Sequence, residues 1–257
     1  MNRITQLFQH KDRNILSVYF TAGFPQLEDT VPTLKALQSQ GIDLVEIGIP
    51  FSDPMADGVV IQHSSHVALQ QGMSIRNLFQ QLTDIRSEIH LPLVMMGYLN
   101  PIMQFGFENF CDACKRVGVD GMIIPDLPMA DFLATYKATA EKYGLKFIFL
   151  ITPETSEKRI REIDEHTDGF IYMVSSSAVT GTQNDFDSRI DYFNRINTMN
   201  LKNPRLIGFG VSNKSTLDAV NQYASGAIVG SAFIKALQEK KDVAAGVQLM
   251  LDKLQEK

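Results

Sequence analysis

Eight short apolar runs, separated by longer amphipathic stretches, limit the folds open to this chain. The runs cover residues 16–21, 44–49, 93–97, 121–125, 147–151, 169–174, 205–208 and 227–230. They are apolar on both faces instead of alternating, which predicts parallel strands covered by helices on both sides. Helical patterning fills the intervals at 28–40, 74–88, 107–117, 129–143, 157–166, 214–223 and 232–239, with one more helix over 242–257. Strand–helix alternation repeated in this way predicts an α/β fold, a (β/α)8 TIM barrel with an extra N-terminal helix over 4–9. A doubly wound open sheet is the alternative, and it lacks the Gly-x-Gly-x-x-Gly turn expected after its first strand. With no linker, low-complexity run or shift in composition, the reading is one barrel domain over residues 1–257.

Bulk properties narrow the partners. Hydrophobic residues make up 44% of the chain, enough for a large core, and the formal net charge is −5. No basic block stands out, which argues against nucleic acid. No apolar run is long enough to span a membrane, and the polar N-terminus lacks the apolar centre of a signal peptide. The expected address is the cytoplasm. Cys111 and Cys114 form a Cys-x-x-Cys pair within a helical pattern. Without a strand–turn context or a second ligand pair, they read as two reduced thiols on one helix, neither redox-active nor zinc-binding.

The chemistry concentrates in Glu46-Ile-Gly-Ile-Pro-Phe-Ser-Asp-Pro-Met-Ala-Asp57-Gly58. Glu46 sits inside an apolar strand, where a charge is costly unless it is paired or used. Asp57 follows on a polar loop, read as 50–66. One carboxyl in an apolar strand and one on a loop is a way to separate two acid pKa values. That suits general acid–base catalysis. The plainer alternative makes Glu46 a buried structural acid and Asp57 a turn residue. A second long loop, 175–186, is small and polar, as a lid would be.

The loops after strands seven and eight hold Gly210, Gly230 and Ser231. In such barrels these loops, with the N-terminus of a following helix, form the recurring phosphate site. The fold expectation therefore includes a short phosphate-binding helix after strand 8. No strand ends in a lysine suited to a Schiff base. His63 and His66, spaced i, i+3, read as polar helix residues, so no metal is expected.

These residues resemble the tryptophan synthase alpha subunit family. The match also includes Tyr19-Phe-Thr-Ala-Gly-Phe-Pro25, Tyr98-Leu-Asn-Pro101, Gly118-Val-Asp-Gly-Met-Ile-Ile-Pro-Asp-Leu-Pro128, Val179-Thr-Gly181, Gly208-Phe-Gly-Val-Ser212 and Gly230-Ser-Ala232, and runs in order through nearly the whole chain. The Glu46–Asp57 segment is its most specific part.

The resemblance implies retro-aldol cleavage of indole-3-glycerol phosphate to indole and glyceraldehyde 3-phosphate. It implies Glu46 as the acid–base residue and Asp57 as the carboxylate on the indole N–H. Tyr19, Met96, Ile123, Leu150, Phe209 and Ile228 would line the indole pocket, and Tyr172 would orient Glu46. Gly181, Gly210, Gly230 and Ser231 would bind phosphate, and Thr180 would meet Asp57 on lid closure. The implied partner is a pyridoxal-phosphate-dependent beta subunit in an α2β2 heterotetramer, facing Asp53 and the Asn100–Pro101 loop. No cofactor is expected in this chain. One departure is Ala178, where the family usually has glycine before Val-Thr-Gly. The alternatives are a non-catalytic subunit that activates the beta enzyme, a stand-alone indole-releasing lyase, and a sugar-phosphate isomerase or epimerase.

Overall fold

The computed structural model describes residues 1–175, 184–208 and 210–256. Its strands are β1 (Ile15–Thr21), β2 (Leu44–Gly48), β3 (Leu93–Met96), β4 (Gly121–Ile123), β5 (Lys146–Phe147), β6 (Leu150–Ile151), β7 (Ile171–Val174), β8 (Arg205–Gly208) and β9 (Gly226–Val229). They lie in one sheet in the order β5-β4-β3-β2-β1-β9-β8-β7-β6. Every pairing in it is parallel.

The two ends of that order are one segment of chain. Only Ile148 and Phe149 separate β5 from β6. The Ile148 N–H donates to the Met122 carbonyl at 3.0 Å, and the Phe149 carbonyl accepts from the Tyr172 N–H at 3.0 Å. Together β5 and β6 are the expected strand over 147–151, handing its hydrogen bonds from one neighbour to the other. The sheet therefore closes into an eight-stranded parallel barrel.

Alternation along the strands explains why both faces are apolar. Ile15, Leu44, Val94, Ile123, Phe170 and Leu206 fill the barrel interior. Val18, Phe20, Val45 and Ile47 point outward into the larger layer beneath the helices. Burying each such side chain contributes about 1.5–3 kcal/mol relative to exposure.

The extra N-terminal helix is present as Arg3–His10, capped by Asn2, whose side chain accepts from the Ile4 N–H. It stops the lower end of the barrel. Ile4 is fully buried in the interior cluster, and the Phe8 ring lies 5.9 Å from that of Phe170. Buried Asp120 ties this end together. Its carboxylate accepts from Arg3 Nη1 at 3.0 Å, Arg86 Nη2 at 2.8 Å and the Leu93 N–H at 3.0 Å.

Several elements differ from expectation. The segment 50–66 is not all loop, because a helix, Val59–Gln70, starts inside it. Ser64 and Ser65 on this helix are buried, and Ser64 Oγ lies 2.6 Å from Thr21 Oγ1. Small polar groups that bond into the barrel wall weaken the apolar periodicity a sequence reading relies on. Asn100 and Pro101 lie in a helix, Leu99–Phe105, not a loop. Pro101 falls in its first turn, where a missing N–H breaks no intrahelical bond. Asn184–Thr198 is also helical and overlaps the end of the expected lid. The expected helix over 129–143 is interrupted by a π-turn, Phe132–Tyr136. The helix after the last strand is not short, with ten residues, Ser231–Lys240. Among the described residues, no helix is long and apolar enough to cross a membrane.

Candidate active site

A cavity of about 380 Å³ opens at the C-terminal ends of the strands. Tyr19, Asp57, Met96, Tyr172 and Ile228 line it, with Gly210, Gly230 and Ser231 at one end. Side chains from the first, third, sixth and eighth barrel strands thus meet the loops after the second, seventh and eighth.

Glu46 stands in mid-β2, where all five residues are buried. It is fully buried. In register it pairs with Tyr19 on β1 and Val94 on β3. Ser17 Oγ donates to Glu46 Oε1 at 2.9 Å, whereas Oε2 has no hydrogen-bond partner. Burial pushes the carboxyl up to about 8, and the Ser17 bond opposes that rise. Near neutrality Glu46 therefore holds its proton.

Asp57 sits where the loop after β2 meets the helix Val59–Gln70. Its N–H donates to the Pro54 carbonyl at 3.0 Å, and its own carbonyl accepts from Gln62 Nε2 at 2.8 Å. The Tyr98 hydroxyl accepts from the Ala56 N–H at 3.0 Å and donates to the Asp57 carboxylate. Burial pushes Asp57 up to about 6, and the Tyr98 bond pulls it back. The two carboxyls are thus separated in the expected direction.

The tyrosines need room that only glycine leaves. A Cβ on Gly48 would lie 2.1 Å from the Tyr19 hydroxyl, and one on Gly208 would lie 2.3 Å from that of Tyr172. Burial raises Tyr172 well above its ordinary range, as do the nearby charges of Glu46 and Asp57. Ile123 and Leu150 belong to the barrel's interior cluster together with Met96 and Ile228, but do not line the cavity.

At the other end Gly210 has φ +91°, a left-handed conformation that favours glycine. Ser231 begins a helix capped by Gly230. First-turn N–H groups have no intrahelical acceptor and favour an anion. The sequence reading missed two cations here. Lys235 and Lys253 also line the cavity. The i, i+4 spacing from Ser231 to Lys235 was the available signal. Ser17 and Tyr98 were missed as partners of the two acids. Thr180, Gly181 and Phe209, with Ala178, lie outside the described residues.

Asp53 and Asn100 are exposed and Pro101 is half-buried. Asn100 and Pro101 line a surface groove of about 890 Å³ with Pro50, Phe51 and Ser52. His63 and His66 are exposed on the helix Val59–Gln70. Among the described residues, no group of three His, Cys, Asp or Glu side chains is placed to hold a metal. Cys111 and Cys114 are unpaired and buried on the helix Phe107–Val117, and burial pushes Cys111 up to about 12.

Fold and pocket define a (β/α)8-barrel protein with a cavity at the strand termini, lined by Asp57 at one end and by Gly210, Gly230 and the helix N-terminus at Ser231 at the other, and a buried acid, Glu46, in the strand beside it. Comparison with known proteins narrows this. The family model described as tryptophan synthase alpha chain matches residues 5–257. The tryptophan synthase alpha chain of Parabacteroides distasonis is 60% identical over 257 residues, with 100% of both chains covered. That of Bacteroides thetaiotaomicron is 56% identical, covering 99% of this chain and 100% of its own. Among solved structures, tryptophan synthase subunit alpha from Legionella pneumophila superposes with a TM-score of 0.84 at 33% identity, covering 99% of this chain and 98% of its own. The chain belongs to the tryptophan synthase alpha chain family. It is a lyase of tryptophan biosynthesis.

Proposed function

We propose that the cavity cleaves indole-3-glycerol phosphate to indole and glyceraldehyde 3-phosphate, with Glu46 and Asp57 in distinct roles. The observation behind this reading is the separation of the two carboxyls, Glu46 at about 8 and Asp57 at about 6. Between these values one is an acid and the other an anion.

Glu46 gives its proton to indole C3, and the ring takes up positive charge. Asp57 accepts the indole N–H and stabilises that charge. The carbon–carbon bond then breaks as the glycerol hydroxyl loses its proton to the Glu46 carboxylate. The bonding pair returns to the ring, and Glu46 regains its acid form. Atoms and electrons balance with proton transfers alone, so this chain needs no cofactor for the step. Tyr19, Met96 and Ile228, which line the cavity, enclose the indole, with Ile123 and Leu150 packed behind them in the interior cluster, and Tyr172 orients Glu46. Gly210, Gly230 and Ser231 hold the phosphate.

We further propose that indole passes to a pyridoxal-phosphate-dependent beta subunit in an α2β2 assembly. Asp53, Asn100 and Pro101 would face it, beside the groove that Asn100 and Pro101 line. The test is indole release from indole-3-glycerol phosphate by the purified chain, with and without a beta subunit. Slow release that rises strongly with the partner supports the reading. No release in either condition overturns it.

A further inference from the structure

We propose that Ser17 is a positioning residue for Glu46, its hydroxyl holding Oε1 so that the transferable proton resides on Oε2. The inference rests on the reading of Glu46 as the acid–base residue. It comes from a contact that no sequence motif marks.

Ser17 lies on β1 two residues before Tyr19, and both side chains enter the barrel. Its register partner is Leu44, whereas that of Tyr19 is Glu46. The serine therefore stands one layer deeper than the glutamate and does not line the cavity, whereas Tyr19 does. Ser17 and Glu46 are both fully buried, so no water competes for the bond. Its length is 2.9 Å. The hydroxyl reaches Glu46 from the core side and occupies one carboxyl oxygen.

A carboxylic acid that accepts a hydrogen bond does so best at its carbonyl oxygen and carries its proton on the other. With Oε1 taken, the proton sits on Oε2. That atom is buried and has no hydrogen-bond partner, an arrangement that costs free energy unless another group uses it. When Glu46 gives up its proton, the same Ser17 bond stabilises the carboxylate. Proton departure and return then occur at one atom. The titratable groups that feel the Glu46 charge are Tyr19 from β1 and Tyr172 from β7. Burial keeps both tyrosine hydroxyls protonated, but neither donates to Oε2, so among the described residues the side-chain hydrogen bond on the Glu46 carboxyl is that of Ser17.

The test titrates the carboxyl itself. Infrared difference spectra between each chain and its Glu46→Gln counterpart isolate the Glu46 C=O band. In Ser17→Ala the titration midpoint is expected to rise by roughly half a unit to one unit, because a bond to the charged form has gone. The band moves to higher frequency, and kcat falls about tenfold with KM unchanged. Ser17→Thr, which keeps the hydroxyl, restores the midpoint. Ser17→Cys, a weaker donor of similar size, is read in parallel so that the comparison stands if the alanine chain does not fold. A midpoint unmoved in Ser17→Ala and Ser17→Cys overturns the proposal. Full activity in Glu46→Gln overturns the reading of Glu46 instead, and the carboxyl titration keeps the two failures apart.

Discussion

Tyr19 and Glu46 are register partners on neighbouring parallel strands, so their side chains enter the barrel at one level. The tyrosine lines the cavity, and the glutamate beside it is sealed from water. That burial keeps Glu46 protonated near neutrality. Glu46→Gln keeps the shape but cannot give or take the proton. It is expected to lower kcat by about 10²- to 10⁴-fold with little change in KM. Steady-state kinetics of indole release checks this, with circular dichroism to confirm the fold. Full activity in the variant would remove Glu46 from the mechanism.

The same burial links Glu46 to stability. Its pKa rises from 4.5 to about 8 on folding. In that window the folded chain binds more protons than the unfolded chain, so stability falls as pH rises from about 4.5 towards 8. The full cost is present above 8. Each unit corresponds to about 1.4 kcal/mol. Glu46→Gln removes this dependence, so its advantage over the natural chain is expected to grow between pH 6 and pH 9 by about 1–3 kcal/mol. Urea unfolding midpoints at the two pH values measure it. A difference independent of pH would contradict the shift.

Much of this was legible in the sequence, and the exceptions share a cause. The barrel could be read because Val18 and Phe20 face out while Ile15 and Tyr19 face in, which makes the runs apolar on both sides. Glu46 stood out because a charge in such a run is anomalous. The helix Val59–Gln70 was hidden by β-branched Val59, Val60 and Ile61 at its start and by buried Ser64 and Ser65 on its inner face. Ser17 and Tyr98 could not be found as partners of the acids. A small residue in a strand and a tyrosine after one carry no mark of contacts 29 and 41 residues away, which only barrel closure and loop packing create. Lys235 and Lys253 were lost for the same reason, each reading as the solvated face of a helix.

Tyr98 joins two loops at one hydroxyl, which accepts from the Ala56 N–H and donates to Asp57. In the proposed mechanism Asp57 is ionised and Glu46 protonated, so kcat is expected to follow a bell between about 6 and about 8. The Tyr98 bond lowers the Asp57 pKa, and its removal raises it. Tyr98→Phe is therefore expected to move the acidic limb to higher pH, narrow the bell and lower the maximum roughly tenfold. The basic limb, set by Glu46, stays in place. A pH–rate profile with an unmoved acidic limb would show that Tyr98 does not tune Asp57.

Gly208 makes room for Tyr172. A Cβ there would lie 2.3 Å from the Tyr172 hydroxyl and 2.6 Å from its ring carbons. A buried aromatic ring cannot yield that distance without turning into the cavity it lines. Gly208→Ala is expected to raise KM and lower kcat, together costing about 10²-fold in kcat/KM, as small misplacements at a site do. Stability should fall by about 1–3 kcal/mol through overpacking. Kinetics and thermal unfolding together test the clash, and a variant matching the natural chain in both would show that the ring has space the structure does not reveal.

Lys235 and Lys253 stand at the anion end of the cavity, four residues beyond Ser231 on its own helix and on the helix Val243–Gln255. On the proposed reading the first-turn N–H groups and the Ser231 hydroxyl give a phosphate its directed bonds, whereas the two ammonium groups add only field. Lys253 is partly offset by Glu239, whose Oε2 lies 3.8 Å from its Nζ. Both lysines keep contact with solvent, so their contribution is small and screened by salt. Lys235→Ala is expected to raise KM about two- to fivefold at low salt and leave kcat unchanged, because phosphate is bound equally in ground and transition states. Ser231→Ala also raises KM but keeps the salt dependence. Measuring KM against ionic strength separates the two. In the natural chain it climbs with salt, and in a Lys235→Ala/Lys253→Ala double variant the slope flattens. A slope that persists in the double variant would place the attraction for phosphate in the backbone groups and helix N-terminus alone.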